Sequence, residues 1–361
     1  MKLLKIIFYP VSLLYGLLIH LRNKFYDLGI FSSVEFKTPV ISIGNLTTGG
    51  TGKTPHTEYL IRLLKSKYSV ATLSRGYGRI TSGFMHVNST STSPEVGDEP
   101  KQFKNKFPEI VIAVDKKRNR GIKKLLEQFS NLNVILLDDA FQHRSVTPGI
   151  SILLSDYNSL FYNDHLLPTG NLREFRSGFK RADIIVITKT PEIFSPLERR
   201  RILKEIHAEP YQHVYFSFIK YGNFIPLSKE TKSNVFTKEF YFERDYTILL
   251  MTGIANASSL EYYLKPKVKK LITIKFSDHH EYTMAELLNV KAILEDIPNK
   301  NKIIVTTEKD TMRLDNQGSK EILKDLPVFY IPIEIEFHDK DKEDFNSHIF
   351  DYVRGNPIKK I

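Results

Sequence analysis

A short apolar run that breaks into glycines and then into a helix constrains this chain more than any other segment. Val40–Ile43 reads as a buried strand. It runs into Gly44-Asn45-Leu46-Thr47-Thr48-Gly49-Gly50-Thr51-Gly52-Lys53-Thr54, and helical periodicity follows over Pro55–Lys67. Strand, glycine-rich loop and helix N-terminus in that order wrap backbone N–H groups around phosphate oxygens. Thr48, Gly49, Gly50, Thr51 and Gly52 would supply those amides, Lys53 would meet the β- and γ-phosphates, and the Thr54 hydroxyl would ligate Mg²⁺. Pro55 stands just inside the helix, where its missing N–H costs nothing. The general G-x-x-x-x-G-K-[ST] spacing asks for glycine where this chain has Thr47.

The rest of the chain fits an α/β fold around that unit. Val70–Leu73, Ile110–Val114, Val134–Leu137, Ile150–Leu154 and Ile184–Ile187 are short Val/Ile/Leu runs without alternation, the pattern of strands buried on both faces. The expectation is a P-loop NTPase-type, mostly parallel sheet with helices on both faces. The 361 residues exceed what one core usually holds. A second βα series, with strands near Thr247–Met251, Val268–Ile274, Lys302–Thr306 and Val328–Ile333, predicts a smaller α/β domain. The predicted division is an N-terminal helix region over 1–30, a P-loop domain over 31–215, a β-rich hinge over 216–245 and a C-terminal domain over 246–361.

A phosphate loop needs carboxylates at the end of a neighbouring strand, and Val134–Leu137 runs directly into Asp138 and Asp139. One of the two should hold Mg²⁺ through water or order the Thr54 side. Ala140-Phe141-Gln142-His143-Arg144 follows at the strand end where α/β sites lie. In Val96-Gly97-Asp98-Glu99-Pro100 two acids stand between Gly and Pro, and Asp98 or Glu99 could accept the proton of an attacking hydroxyl. Asp183–Lys189 ends in Thr188-Lys189-Thr190-Pro191, without the Asn-Lys-x-Asp that reads guanine, so ATP is the expected nucleotide. Arg75, Arg118, Arg120 and Arg173 are candidates to neutralise charge on transferred phosphoryl oxygens. Phe276-Ser277-Asp278-His279-His280 offers a base oriented or tuned from the second domain.

The first segment bears on partners. No charged residue occurs from Ile6 to Leu21, a run too short to span a bilayer and interrupted by Pro10. Lys2, Lys5, Tyr9, Ser12, Gly16, His20 and Asn23 recur at spacings of three or four, leaving a wide apolar arc around the rest. That describes an amphipathic helix lying in an anionic interface, a peripheral, monotopic contact. Lys and Arg outnumber Asp and Glu by 52 to 41, which favours anionic partners. The basic residues are dispersed and form no recognised nucleic-acid module, so no nucleic acid is expected. Cysteine is absent, which excludes disulfide scaffolds, thiolate nucleophiles and zinc–thiolate sites.

GNLTTGGTGKTP, SRGYG, VGDEP, DDAFQHR, LLPTGNLRE, GIAN, FSDHH and TEKD occur in the order found in the tetraacyldisaccharide 4′-kinases, and the chain resembles that family from its apolar N-terminal helix to Asp310. Thr47 is no departure from that family, which shares TGGTGKTP. The resemblance implies transfer of the ATP γ-phosphate to the 4′-hydroxyl of a tetraacylated disaccharide 1-phosphate, giving lipid IV-A, with Mg²⁺. It implies an Asp98–His279 pair acting on the hydroxyl, which requires closure if the two lie in different domains. It also implies Lys53 and Thr54 on phosphate and metal, Glu99, Asp138 and Asp139 on the metal side, and Gln142, His143, Arg173 and Glu174 lining the cleft. The implied location is the cytoplasmic face of the bacterial inner membrane, with no obligate protein partner. A membrane-associated P-loop switch or partition-type ATPase is the alternative, but it leaves VGDEP and FSDHH without a role.

Overall fold

The computed structural model describes residues 2–227 and 236–355, with side chains from Phe8 onward. Lys2 and Lys5 of the basic stripe, by their side chains, and residues 228–235 of the predicted hinge lie outside the described residues. The chain forms two compact units, Met1–Ile219 with Ile335–Ile361, and Lys220–Glu334.

The first unit begins with helix α1 (Lys2–Asp27), followed by β1 (Val40–Asn45), α2 (Lys53–Leu64), β2 (Val70–Ser74) and a short β3 (Met85–His86). Next come α3 (Ser93–Val96), α4 (Asp98–Lys106), β4 (Val111–Val114), α5 (Arg118–Gln128), β5 (Val134–Leu137) and β6 (Ile150–Asp156). The series continues with β7 (Ile184–Thr188), α6 (Pro196–Ile206) and β8 (His213–Tyr221). The second unit holds β9 (Ile225–Pro226), α7 (Lys238–Glu243), β10 (Thr247–Thr252), α8 (Ser258–Leu264), β11 (Lys270–Lys275) and α9 (Met284–Glu295). Its remainder is β12 (Lys302–Thr307), α10 (Glu308–Thr311), α11 (Gln317–Leu323) and β13 (Val328–Ile331), after which β14 (Ile333–Phe337) and α12 (Asp339–Val353) close the chain.

The large sheet has the order β14-β8-β7-β6-β1-β5-β2-β4-β3. Every pairing from β8 to β4 is parallel, and β3 runs antiparallel to β4. All residues of β1, β2, β5 and β7 are buried, as their unbroken apolar runs require for strands covered on both faces. The chain crosses from β1 to β2 in one direction and later places β6 on the other side of β1. The C-terminal ends of these strands are therefore the topological switch point where α/β folds bind ligands. The second sheet, β11-β10-β12-β13-β9, is parallel apart from its edge strand β9.

Two expectations change. Residues 335–361 do not continue the C-terminal domain. Ile335, Phe337, Phe345, Ile349 and Val353 bury into the same core as Ile41, Leu60 and Tyr215, so burial of that apolar face draws the chain back to the first unit. The stretch 216–245 is also less β-rich than predicted, since α7 lies within it and buries Tyr241 among Phe224, Ile248 and Phe329.

Helix α1 turns small and polar residues toward the unit and several large apolar ones away from it. Its small and polar stripe docks on the unit: Ser12 Oγ lies 3.0 Å from Thr169 Oγ1, and Tyr15 OH donates to the Arg173 carbonyl at 2.8 Å. Gly16 permits this approach, because a Cβ there would run into Leu166 Cδ1. Phe8, Val11, Leu14, Leu17, Leu18 and Leu21 face outward and exposed. Among the described residues no helix is long and apolar enough to cross a membrane.

Candidate active site

The loop after β1 takes the conformation that its glycines allow. Gly49 and Gly52 have φ of 104° and 90°, left-handed values that strain any side chain, and Gly52 caps α2. The loop is pinned at several places. Asn45 Nδ2 donates to Thr51 Oγ1 at 2.9 Å, Thr188 Oγ1 at the end of β7 donates to the Thr51 carbonyl at 2.9 Å, and the Thr48 amide donates to the Asn171 carbonyl at 2.7 Å. Such pinning fixes where the loop's amides point before any phosphate arrives.

Lys53 opens α2 with its ammonium 3.7 Å from Asp139 Oδ1 and 3.5 Å from Asn45 Oδ1. Arg173 Nη1 donates to the same Asp139 oxygen at 3.0 Å. Burial would raise the Asp139 carboxyl, yet Lys53 and Arg173 outweigh it and hold it below the ordinary value. Asp139 occupies a left-handed conformation (φ 46°) where the chain leaves β5. Asp138 is in the opposite situation. It is buried, its carboxyl accepts from Thr57 Oγ1 at 3.1 Å, and burial with the charges of Asp139 and Glu99 pushes it up to about 7.

Gln142 and Glu174 complete a polar wall. Gln142 Nε2 donates to the Asn45 carbonyl at 2.8 Å and to Glu174 Oε1 at 3.0 Å, and Arg181 Nη2 donates to Glu174 Oε1 at 2.9 Å. Helix α1 reaches the same wall: Asn23 Nδ2 donates to Glu174 Oε2 at 2.9 Å, and Arg22 Nη2 to the Gln142 carbonyl at 2.9 Å. Burial and the charge of Arg118 bring His143 down to about 4, so it is a neutral imidazole at physiological pH.

The other candidate arginines fall in different places. Arg118 is fully buried, donating to the carbonyls of Asp115 at 2.6 Å and Asp138 at 3.1 Å, so it braces the strand end from behind. Arg120 is held by Asp115 at 2.7 Å, and Arg75 is exposed in the SRGYG loop. Asp98 and Glu99, between Gly97 and Pro100, are held in a helix. They form the first turn of α4, and Asp98 is buried. Gly97 just before them has φ 94°, and a Cβ there would lie 3.1 Å from the Tyr77 carbonyl, so VGDEP and SRGYG pack directly together.

His279 belongs to the second unit. It has a left-handed backbone (φ 57°), with Lys309 Nζ 3.1 Å from Nε2, Arg313 Nη2 3.3 Å from Nδ1 and Asp278 Oδ2 3.8 Å from Nε2. The buried Asp310 organises this corner by accepting from the Gly253 amide at 3.1 Å, Tyr282 OH at 3.0 Å and Thr307 Oγ1 at 2.6 Å. His280 is used otherwise, stacking on Phe276 and meeting Glu286 at 2.9 Å.

The sequence reading missed Asn45, Thr188, Arg181, Lys309 and Arg313. In the sequence Thr188 marks only the place of a base reader, and Lys309 stands in TEKD without an assigned role. His56 was missed as well. It is 3 % exposed and burial lowers its pKa to about 4. Its unfolded value is near 6.5, so below that pH the unfolded chain takes a proton that the folded one refuses, and stability is lost as the pH falls from 6.5 toward 4. Melting from pH 7 to pH 5 should cost the wild type about 2 kcal/mol more than a His56→Phe variant. Equal pH dependence of the two would contradict a buried neutral His56.

Among the described residues no cluster of three His or acidic side chains could hold a metal by itself. The donor set still fits Mg²⁺, which binds through one or two carboxylates together with substrate phosphates. The raised Asp138, beside Asp139 and Glu99, is the local excess of negative charge that such a cation offsets.

The family described as tetraacyldisaccharide-1-P 4′-kinase matches residues 4–354. A tetraacyldisaccharide 4′-kinase of Phocaeicola vulgatus is 45% identical over 350 residues, covering 96% of this chain and 95% of its own. That of Flavobacterium psychrophilum is 42% identical over 358 residues, covering 99% of both. The crystal structure of the "apo" form of LpxK from Aquifex aeolicus in complex with ATP is similar with a TM-score of 0.71 and 27% identity, covering 96% of this chain and 98% of that one.

Proposed function

Since the chain belongs to the tetraacyldisaccharide-1-P 4′-kinase family, we propose that Asp98 accepts the proton of the acceptor's 4′-hydroxyl, with His279 of the second unit orienting or tuning it. The chain is an ATP-dependent kinase of lipid A biosynthesis, a phosphotransferase acting on an alcohol, and its acceptor is tetraacyldisaccharide 1-phosphate. The observation that carries the site assignment is the convergence of Lys53, Arg173 and Asp139 at the pinned loop.

Each side chain has a defined task in this reading. The amides of Gly49, Gly50 and Gly52 and the Lys53 ammonium bind the nucleotide phosphates, while the amides of Thr48 and Thr51 are taken by the Asn171 and Gly49 carbonyls. Thr54, Glu99, Asp138 and Asp139 would hold Mg²⁺, whose positive charge screens the phosphates when bound. Arg173, held in place by Asp139 and Gln142, is positioned to neutralise charge spreading over the transferred oxygens. Asp98 removes the hydroxyl proton as that oxygen attacks the γ-phosphorus in line, and the bond from phosphorus to the β-bridging oxygen breaks. The products are ADP and a 4′-phosphomonoester. Phosphorus NMR of the reaction mixture tests the reaction: a new 4′-phosphomonoester is expected. ATP hydrolysis with unchanged lipid would favour a P-loop ATPase without an acceptor.

The outward apolar residues of α1 support a peripheral membrane contact at the inner-membrane surface. Ser12, Tyr15, Arg22 and Asn23 are engaged by Thr169, the Arg173 carbonyl, Gln142 and Glu174, while the large apolar residues face outward. Burying those residues in an interface removes them from water at about 25 cal/mol per Å². Replacing Leu14, Leu17, Leu18 and Leu21 by Gln together should reduce co-sedimentation with anionic vesicles at least tenfold, with the thermal midpoint retained. Undiminished sedimentation would refute the interface-helix reading.

A further inference from the structure

We propose that His56 is a positioning residue of the phosphate loop, tying the Gly52 carbonyl to Ser217 of β8 and so aiming the Lys53 amide into the phosphate site. The assignment rests on reading Thr48–Thr54 as the cradle of the ATP phosphates. His56 lies one turn into α2, with Nδ1 2.7 Å from the Gly52 carbonyl oxygen and Nε2 3.1 Å from Ser217 Oγ. A carbonyl can only accept, so Nδ1 carries the ring proton and Nε2 accepts from the Ser217 hydroxyl. Both ring nitrogens are then satisfied by a neutral imidazole, which suits a fully enclosed position packed edge-on against Phe337.

The helix alone does not account for this second bond. The Gly52 carbonyl already accepts the His56 amide at 3.1 Å as the first helical hydrogen bond. The ring adds a lateral tie to a different strand. Its anchor is fixed in turn: Ser217 is fully buried, and its carbonyl accepts from the Thr190 amide at 3.1 Å and from Thr190 Oγ1 at 3.0 Å.

Planarity of the peptide supplies the mechanism. The C=O and N–H of one peptide unit point in opposite directions. Thr188 holds the Thr51 carbonyl and His56 holds the Gly52 carbonyl, so the last two peptides of the loop are both restrained through their oxygens. Their N–H groups, those of Gly52 and Lys53, are thereby fixed on the other side. Gly52 is a glycine in the left-handed region, and its backbone would be free to move without these ties.

Calorimetric titration of the full-length protein with Mg²⁺ and a non-hydrolysable ATP analogue tests this, with thermal midpoints of the nucleotide-free variants measured alongside. His56→Phe keeps the ring and its packing but removes both bonds, and should weaken binding roughly five- to tenfold. The loss should appear in KM for ATP rather than in kcat. Ser217→Ala should weaken binding at least twofold on its own and add nothing to His56→Phe, while His56→Asn, which keeps a donor for the Gly52 carbonyl, should recover part of the affinity. Binding by His56→Phe within twofold of wild type, with only its thermal midpoint lowered, would reduce His56 to a core residue and overturn the proposal. Should that variant fail to fold, unchanged binding by Ser217→Ala would overturn the tie to β8. Lys53→Ala separates the two readings: if it binds the analogue normally, the cradle itself is wrongly assigned.

Discussion

Asp98→Asn is expected to lower kcat by roughly 10²–10⁴-fold, the usual contribution of a positioned general base, with ATP affinity changed by less than about threefold. The substitution keeps the size and polarity of the side chain at the buried first turn of α4 and removes its charge and its capacity to take a proton. His279→Ala should reduce kcat in the same direction. If the two act as one unit, the double variant should be scarcely worse than Asp98→Asn alone. Multiplicative losses would place them in separate roles, and unchanged turnover in Asp98→Asn would remove it as the base. Steady-state rates at saturating ATP and lipid give all four numbers.

Lys53→Ala should be about as damaging by a different route. Its ammonium faces Asp139 and Asn45 from the start of α2, inside a loop already held by Thr188 and Asn171. Removing it takes away a preorganised charge, which typically costs roughly 10²–10³-fold in rate. It also leaves the Asp139 carboxylate to the Arg173 guanidinium, 3.0 Å away. Both KM for ATP and kcat should suffer, since the ammonium contacts phosphates in the ground state and as the phosphoryl group transfers. A Lys53→Ala enzyme retaining more than a tenth of wild-type turnover would contradict the role given to the loop.

The phosphate loop was legible because glycines at left-handed positions leave a mark that few other structures share. Asp138 and Asp139 were legible because an apolar strand ended in two acids. Their difference was not: Asp138 faces Thr57 from within the unit, while Asp139 meets Lys53 and Arg173, and only tertiary neighbours distinguish them. The same applies to α1. Its spacing gives a polar stripe and an apolar arc, but not that Ser12 and Asn23 of the stripe dock on Thr169 and Glu174. The division of the chain was read too simply, because a strand such as β14 carries no sign of which sheet it will join. The pairing of β14 with β8 and the burial of Phe345 and Ile349 decided it. Arg118 illustrates a further limit: its sequence position makes it a candidate for the phosphoryl oxygens, yet its guanidinium is fully buried against two carbonyls.

The central claim is that this loop and these carboxylates move a phosphoryl group onto a lipid hydroxyl. Incubating the purified protein with γ-labelled ATP, Mg²⁺ and detergent-dispersed tetraacyldisaccharide 1-phosphate tests it most directly. Label should enter the lipid in step with ADP formation for the wild type and fall at least a hundredfold in Lys53→Ala. ADP formed without label in the lipid, or equal labelling by the two proteins, would contradict the account.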